Sequence, residues 1–169
     1  MKRLNARLQA LAAFIEPGES VADIGADHGY LPLWLVQEGV SPFVVLTDVE
    51  AGPLEKTRES VDRWFSENDS NKALVSLRRG DGLSALNAGE VDAVVVAGMG
   101  GETIVSILDA DISKSVSFGK YILQPRTKTN VLKEWILKNM WVIISETAAL
   151  EKGRLCDIIV CKPGGKNDD

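Results

Sequence analysis

The segment VADIGADHG at residues 21–29 decides the fold of this 169-residue chain and points to its ligand. A short β-rich run ends at Gly25, and glycines where a strand turns into a helix let a ligand approach the backbone closely. The spacing from Gly25 to Gly29 departs from the dinucleotide pattern G-x-G-x-x-G, because Asp27 stands where the second glycine would be. A carboxylate there would repel a pyrophosphate but suits a ligand with a cationic sulfonium and ammonium group. The turn therefore favours S-adenosylmethionine (SAM) over NAD, although the same spacing can also form a tight turn without a ligand.

Further β-rich runs alternate with helical segments along most of the chain. The runs VVL at 44–46 and DAVVVA at 92–97 are apolar without alternation, as in strands of a parallel sheet that helices cover on both faces. Leu4, Leu8 and Leu11 recur at helical spacing and predict a helix before the first strand. The sequence thus predicts a doubly wound α/β fold with strands at 20–24, 43–47, 73–78, 91–97 and 120–123.

The last part of the chain breaks this alternation. A predicted helix at 129–139 leads into two strand-like runs, 141–150 and 154–162, which lie too close together for a crossover helix and should form an antiparallel hairpin. A dehydrogenase would continue with another βαβ unit, whereas five parallel strands followed by a hairpin are typical of class I SAM-dependent methyltransferases. We therefore expect a Rossmann-like, mostly parallel seven-stranded sheet with a C-terminal antiparallel hairpin.

Composition limits the classes of function. The chain has 19 basic and 24 acidic residues, a formal charge of −5, which does not fit a uniformly cationic nucleic-acid coat but permits a local basic face. Cys156 and Cys161 lie an odd number of residues apart on one predicted strand, so we expect no disulfide between them. We expect one domain at 1–163, a disordered tail at 164–169, no metal, no membrane span and a cytoplasmic monomer.

Polar residues and glycines follow the other predicted parallel strands. Asp48 lies 23 residues after Gly25, close to the offset of about 20 at which a carboxylate accepts both ribose hydroxyls. Asp81, between two glycines, could receive an adenine amino group. The segment GMGG at 98–101 has three glycines for which we expect close approach by a ligand rather than a packing role. Gln124-Pro125 gives an amide and a rigid turn at the same edge.

Two further features leave their alternatives open. The cations Lys2, Arg3, Arg7, Lys128 and Lys133 could form a basic rim for phosphates or simply a solvated surface. The four tryptophans fall at apolar positions, which favours core packing over base stacking.

Five motifs in order resemble the bacterial tRNA (adenine-22-N1)-methyltransferase family. They are DIGADHGYLP at 23–32, LTDVEAGPL at 46–54, GDGL at 80–83, VVAGMGGETI at 95–104 and LQP at 123–125, and the likeness spans about residues 3–163. The resemblance implies SAM-dependent methylation of adenine N1 in the D-arm region of tRNA. It also implies that Gly25, Asp27, Asp48, Asp81 and 97–99 line the cofactor, with Asp27, Tyr30 and Arg7 near the target base.

The site predicted from the motifs and the resemblance together has three parts. The cofactor would contact Asp23, Gly25, Asp27, His28, Gly29, Asp48, Asp81, Gly82, Ala97, Gly98 and Met99. The substrate would contact Arg7, Gln124 and Pro125, and Asp27, Tyr30, Gly98 and Gly100 would surround the reaction. Adenine N1 carries a lone pair and no proton, so in-line placement matters more than a general base, and a carboxylate such as Asp27 could stabilise the cationic product.

One feature of the family is not found in the sequence. Members of the family have a helical extension after the catalytic domain that is thought to hold tRNA, and the sequence ends soon after the predicted hairpin, so either the member is short or the chain is truncated. Three other classes of function stay open: an NAD-dependent oxidoreductase, a methyltransferase acting on another substrate, and a non-catalytic SAM-binding or RNA-binding module.

Overall fold

The computed structural model describes residues 3–26 and 28–164, so Asp27, Lys2 and most of the predicted tail lie outside the described residues. The strands are β1 (Val21–Ile24), β2 (Val44–Asp48), β3 (Val75–Arg79), β4 (Ala93–Met99), β5 (Lys120–Pro125), β6 (Val142–Glu151) and β7 (Arg154–Lys162). The α-helices are α1 (Ala6–Ala12), α2 (Tyr30–Gln37), α3 (Ala51–Trp64), α4 (Gly101–Asp109), α5 (Ile112–Ser115) and α6 (Thr129–Lys138). Short 3-10 helices span Ser70–Leu74 and Gly82–Ala85.

The strands form one seven-stranded sheet in the order β3-β2-β1-β4-β5-β7-β6. The first five strands of this order are parallel, and β7 runs antiparallel between β5 and β6. Val21 of β1 lies opposite Val44 of β2 on one side and Ala93 of β4 on the other, so the strand order reverses next to β1. This is the Rossmann-like methyltransferase architecture that the sequence predicted, including its C-terminal hairpin.

The apolar runs become strands that are covered on both faces. Leu46 and Val95 belong to a hydrophobic cluster on one face, whereas Val45, Val94 and Val96 belong to a cluster on the other. Side chains alternate between the faces of a strand, and each fully buried valine or leucine stabilises the fold by roughly 1.5–3 kcal/mol. Burial on both faces explains why these runs do not alternate with polar residues.

Helix α1 covers one face of the sheet as its leucine spacing predicted. The Asn5 side chain caps the helix by accepting a hydrogen bond from the Leu8 N–H at 2.8 Å. Leu11 is fully buried, and Leu4 is buried although it precedes the first turn. The helix packs against β6, which brings the beginning of the chain next to the C-terminal hairpin.

The two cysteines lie on β7 and are both free. Cys161 is buried and Cys156 half-buried, as expected from their odd spacing, and burial raises the pKa of the Cys161 thiol to about 12. Across residues 3–26 and 28–164, no helix has the length and apolar character needed to span a bilayer.

Candidate cofactor and substrate site

A cavity of about 780 Å³ lies at the carboxyl edge of the parallel strands. Its volume is within the range of about 300–1,000 Å³ of ligand pockets, and its position next to the reversal of strand order is where open α/β sheets bind ligands. The predicted site residues that line it are Arg7, Asp23, Gly25, Asp48, Asp81, Gly82, Ala97, Gly98 and Met99. The structure therefore brings these predicted residues together at the carboxyl edge of the sheet.

The turn after β1 is held by backbone hydrogen bonds to the neighbouring strand. The N–H groups of Gly25 and Ala26 both donate to the carbonyl oxygen of Thr47, at 3.0 and 3.2 Å. Gly25 has a φ of +67°, a conformation that L-residues adopt only with strain, and a Cβ there would collide with the Met99 methyl group. Both conditions keep this part of the cavity wall free of a side chain.

The end of β2 supplies two oxygen-bearing side chains. Asp48 faces the cavity, and its Oδ1 accepts a hydrogen bond from the Glu50 N–H at 3.1 Å. Thr47 also lines the cavity, and its hydroxyl group is buried with no hydrogen-bond partner among the residues that the structure describes. A buried hydroxyl without a partner is uncommon, and a ligand with a polar group would satisfy it.

These observations test whether the site fits SAM. The glycine turn provides a wall without side chains, Asp48 provides a carboxylate for a ribose, and Thr47 provides a hydroxyl group that needs a partner. The donor set and the cavity volume suit a nucleoside with a cationic amino-acid tail. The residues present fit SAM.

The loop after β3 closes one end of the cavity. The Asp81 N–H donates to the Ser84 hydroxyl at 2.9 Å, which begins the short 3-10 helix at Gly82. Gly82 has a φ of +54°, and a Cβ there would contact Ile107 of α4. Leu83, Ile107 and Asp81 all line the cavity, so this end offers apolar side chains together with an acid, which suits an adenine ring with an amino group.

A β-bulge at Gly98 shapes the opposite wall. Ala97 lies opposite Gln124 and Met99 lies opposite Pro125, so Gly98 is an extra residue in β4, with a φ of +75°. Its N–H donates to Gln124 Oε1 at 3.1 Å, and Arg7 Nη1 donates to the same oxygen at 3.2 Å. Bulges re-aim the backbone beside active sites. Gln124 is only 2% exposed, so it shapes the wall from behind.

The expectation that all three glycines at 98–101 await a ligand is wrong for Gly101. Its N–H donates to the Thr127 carbonyl at 2.7 Å, and a Cβ there would collide with the backbone carbonyl of Lys128. Gly101 is therefore required for packing at the start of α4. Gly100 caps this helix, and a Cβ there would lie 3.2 Å from the Thr127 hydroxyl.

Several predicted residues lie beside the cavity without lining it. His28 and Tyr30 stack with ring centroids 5.4 Å apart, and Tyr30 in turn meets Trp64 at 5.9 Å, which forms an aromatic row along the outside of the turn. Tyr30 is 40% exposed. Gly29 packs toward Leu46 and Thr57. The predicted residues outside the lining are thus His28, Gly29, Tyr30, Gly100, Gln124 and Pro125, whereas Asp27 lies outside the described residues.

The tryptophans divide between core and surface. Trp135 and Trp141 are buried and meet edge to face, as the sequence predicted. Trp64 is half-buried in the aromatic row, and its indole N–H donates to Gln37 Oε1. Trp135 and Trp141 therefore pack in the core, whereas Trp64 is only partly covered.

Three residues at the site were not predicted from the sequence. Arg126 lines the cavity, with Nε and Nη2 both 3.8 Å from where a Cβ of Gly98 would be. A cation at the carboxyl end of β5 was a visible signal for it. Glu151 pairs with Arg7, Nε to Oε2 at 2.9 Å, and Thr47 provides the buried hydroxyl group. No sequence signal identifies Glu151, because its role depends on a contact between β6 and α1 that exists only in the folded chain. Thr47 has no sequence signal either, because its hydroxyl group stands out only by lacking a partner.

The proposed basic rim is partly neutralised. Lys128 pairs with Glu102 at 3.4 Å and Lys133 with Glu146 at 2.6 Å, and both pairs are exposed. Among residues 3–26 and 28–164, no group of three His, Cys, Asp or Glu side chains could hold a metal ion.

Known proteins resemble this chain over nearly its whole length. A family model for a methyltransferase domain matches residues 4–159. The Bacillus subtilis tRNA (adenine(22)-N(1))-methyltransferase is 33% identical over 165 residues, which cover 98% of this chain and 67% of that protein. A Mycoplasma pneumoniae relative is 32% identical over 132 residues, and the match covers 78% of this chain and 57% of that protein.

Solved structures agree with these sequence matches. The crystal structure of the Bacillus subtilis m1A22 tRNA methyltransferase TrmK superposes with a TM-score of 0.87 at 32% identity, over 96% of this chain and 67% of that chain. A Streptococcus pneumoniae protein solved in complex with SAM superposes with a TM-score of 0.88 at 28% identity, over 99% of this chain and 76% of that chain.

Proposed function

The chain belongs to the tRNA (adenine-22-N1)-methyltransferase family, and we propose that it transfers the methyl group of SAM to N1 of adenine 22 in tRNA. The observation that carries the proposal is the cavity at the carboxyl edge of the sheet, which joins a glycine turn, the Asp48 carboxylate and a backbone bulge in a fold shared with the SAM-bound relative. SAM supplies an electrophilic methyl group on a cationic sulfonium.

Different residues of the cavity would bind the ribose, the adenine and the amino-acid tail of the cofactor. Asp48 would accept the ribose hydroxyls, and Asp81 at the rim of the apolar pocket would accept the adenine amino group. The Gly25 turn and Asp23 would surround the amino-acid tail, where a carboxylate complements the ammonium group. Thr47 would donate or accept one further hydrogen bond. These contacts hold the cofactor in one orientation, which is what an in-line displacement needs.

The bulge and the residues beside it would receive the target base. Adenine N1 has its lone pair available, so the protein needs to place the base rather than remove a proton. The backbone groups of Gly98 and Met99 line the cavity and would read the amino edge of a base taken out of its stack, with Gly100 beside them. Tyr30 at the exposed start of α2 offers a ring face for that base or its neighbour.

Asp27 is proposed to stabilise the positive charge that adenine gains on methylation. This role rests on the family resemblance alone, because Asp27 lies outside the described residues. D27N should lower the rate of methyl transfer at least tenfold while RNA binding, measured by filter retention, changes less than twofold. An unchanged rate would contradict the assignment.

We further propose that the chain acts as a monomer in the cytoplasm, where its tRNA substrate is found, and that residues 1–163 form one domain. Size-exclusion chromatography with light scattering tests the oligomeric state. Limited proteolysis followed by mass spectrometry tests the domain boundary, because cleavage of the intact domain should occur only after residue 163.

The experiment that tests the substrate uses unmodified tRNA transcripts with A22 or G22 and methyl-labelled SAM. We expect label on the A22 transcript only, recovered as 1-methyladenosine by nucleoside mass spectrometry. Label on both transcripts, or on another atom, would reassign the substrate. Binding of S-adenosylhomocysteine (SAH) without transfer to any RNA would favour a non-catalytic module, and NAD binding in place of SAH would favour an oxidoreductase.

A further inference from the structure

A chain of polar contacts joins the C-terminal hairpin to the wall of the cavity. Glu151 at the end of β6 pairs with Arg7 of α1, which donates to Gln124 of β5, which in turn accepts from the Gly98 N–H of β4. The contact distances are 2.9, 3.2 and 3.1 Å. These contacts therefore join β6, α1, β5 and β4, which are far apart in the sequence, behind the bulge.

The chain of contacts depends on the orientation of the Gln124 side chain. Its Oε1 accepts from two donors, the Gly98 N–H and the Arg7 guanidinium, and its Nε2 donates to the Pro125 carbonyl at 3.4 Å. A rotation of the amide by 180° would set an NH₂ group against both donors. Arg7 and Gly98 together therefore select one orientation of a side chain that is 2% exposed.

The position of Arg7 depends in turn on Glu151. The Arg7 side chain is 17% exposed and that of Glu151 is 30% exposed, so the pair is partly shielded at the end of the hairpin. An ion pair with this exposure contributes little to the free energy of unfolding. Its measurable effect should be on where the guanidinium lies, because the Glu151 carboxylate attracts it from 2.9 Å at Nε while Nη1 donates to Gln124. The Nε contact is an ion pair without hydrogen-bond geometry, so the attraction by charge is what holds the Arg7 side chain there.

We propose that Glu151 is a positioning residue for methyl transfer, which acts through Arg7 and Gln124 to fix the backbone bulge at Gly98 beside the reacting atoms. The proposal rests on the proposed function for the location of the reacting atoms. It also changes the interpretation of Arg7 and Gln124, which the sequence placed in contact with the substrate: both would instead hold the wall that the substrate meets.

The kinetic test compares E151A, E151Q and a control on the same strand. E151A should lower kcat at least tenfold, because small misplacements of a reacting pair are costly, while KM for tRNA and for SAM stays within twofold. E151Q keeps an acceptor oxygen and should recover most of kcat. E146A is the matched control, since Glu146 also lies on β6 in an ion pair, but its partner Lys133 does not line the cavity, whereas Arg7, the partner of Glu151, does. E146A should leave kcat unchanged.

Two kinetic outcomes would overturn the proposal. A higher KM for tRNA with an unchanged kcat would show that Arg7 and Glu151 contact the RNA instead. Equal losses for E151A and E146A would show that the hairpin tolerates no change and that Glu151 has no special role.

A second measurement needs no RNA and therefore separates this proposal from the proposed function. Labelling with ¹³C-carbonyl alanine and ¹⁵N-glycine selects the amide signals of Ala-Gly pairs, which occur at Ala51-Gly52, Ala88-Gly89 and Ala97-Gly98. A51S and A88S each remove one signal and thereby assign Gly98.

In the SAH-bound protein, E151A should shift the Gly98 amide signal and leave the signals of Gly52 and Gly89 in place, whereas E146A should shift none of them. An unmoved Gly98 signal overturns the proposal. If Gly98 shifts but the wild-type protein methylates no tRNA, the contact chain is supported and the substrate assignment alone has failed.

Discussion

At the scale of single residues, the cavity wall contains groups that are unfavourable for folding. The Thr47 hydroxyl group is buried without a partner among the described residues, a situation that destabilises a protein by about 1–3 kcal/mol. Gly25 holds a left-handed conformation, and its missing side chain leaves room for Met99. Both features have a physical explanation if a ligand occupies the cavity.

T47V should separate the effect of the hydroxyl group on binding from its effect on stability. Removing an unsatisfied hydroxyl group should raise the free energy of unfolding of the ligand-free protein by up to about 1 kcal/mol and weaken SAH binding by about tenfold. Thermal unfolding and calorimetric titration measure the two quantities. T57V is the control, because Thr57 is equally buried but donates to the Pro53 carbonyl at 3.1 Å, so its loss should destabilise the protein. A destabilised T47V with normal SAH affinity would contradict the prediction.

G25A should weaken SAH binding more than tenfold and destabilise the protein by about 1–2 kcal/mol, since the new methyl group adds left-handed strain and displaces the flexible end of the Met99 side chain, which lines the cavity. G39A is matched to it, because Gly39 has a φ of +69° but nothing within 4 Å of its added Cβ. We expect similar strain in G39A with unchanged SAH affinity, measured by calorimetry. An equal loss of SAH affinity in both variants would show that Gly25 has no specific role in ligand binding.

Sequence reasoning found the residues whose position along a strand marks them. Asp48 and Gly25 stand at strand ends, so pattern and spacing were enough to place them at the carboxyl edge. Glu151 could not be found in this way, because its contact with Arg7 exists only once the hairpin lies beside α1. Gly101 was assigned to the ligand site wrongly. A glycine in a motif shows only that something lies close to its backbone, and at Gly101 this is the Lys128 carbonyl rather than a ligand.

At the scale of the elements, β3 and the loop before β4 are joined by a bidentate ion pair. Arg78 Nη1 and Nη2 lie 2.7 and 2.6 Å from the two carboxylate oxygens of Glu90, and Nη1 also donates to the Ala85 carbonyl at 3.1 Å. These contacts hold the 3-10 helix Gly82–Ala85, which closes the end of the cavity where we propose that adenine binds. The hydrogen bonds from Arg78 lower the pKa of Glu90, against the opposing effect of its burial.

E90Q should make stability less dependent on pH. A carboxylate with a lowered pKa in the folded state stabilises the protein above its unfolded pKa of about 4.5, and this contribution is lost as the pH falls through the folded value. We expect E90Q to be less stable than wild type by about 1–2 kcal/mol at pH 7, with a difference that shrinks below pH about 4.5, in urea unfolding. E55Q, in an exposed pair with Arg58, should match wild type at every pH. A constant deficit of E90Q across this range would refute the linkage.

The hairpin shows what the sequence could predict about elements. Its two strands and their antiparallel pairing followed from a short connection, but the insertion of β7 between β5 and β6 was not predicted. A signal was present, because Ile158, Ile159, Val160 and Cys161 form a continuous apolar run, which is typical of an interior strand. β6 alternates more and has exposed side chains along the edge.

At the scale of the whole molecule, an acidic protein must bind a polyanion. The formal charge of −5 gives no general attraction to RNA, so binding should depend on a few cations near the cavity. Arg126 lines the cavity beside the Gly98 bulge, and Arg7 and Lys114 line it as well, whereas Lys128 and Lys133 are paired with glutamates. The net negative charge of the protein therefore repels RNA, whereas the positive charge of Arg126 attracts it locally.

R126A should raise KM for tRNA several-fold, leave SAH affinity unchanged, and reduce the slope of log K against log salt by about one, as expected for one lost phosphate contact. R58A serves as the control for a lost positive charge, because Arg58 is exposed on α3 and does not line the cavity. Binding is measured by fluorescence anisotropy at several salt concentrations. A loss of SAH affinity in R126A with an unchanged salt slope would instead assign Arg126 to the cofactor.

The position of β7 also determines the order in which the protein can be completed on the ribosome. β5 is synthesised well before its neighbour β7, and β6 leaves the exit tunnel with no strand to pair with until β7 follows. A nascent chain therefore exposes the open edge of β5 until β7 has emerged, a surface that chaperones bind and that promotes aggregation. Slow codons within β6 would prolong this exposure, whereas rapid translation of β6 and β7 together would shorten it.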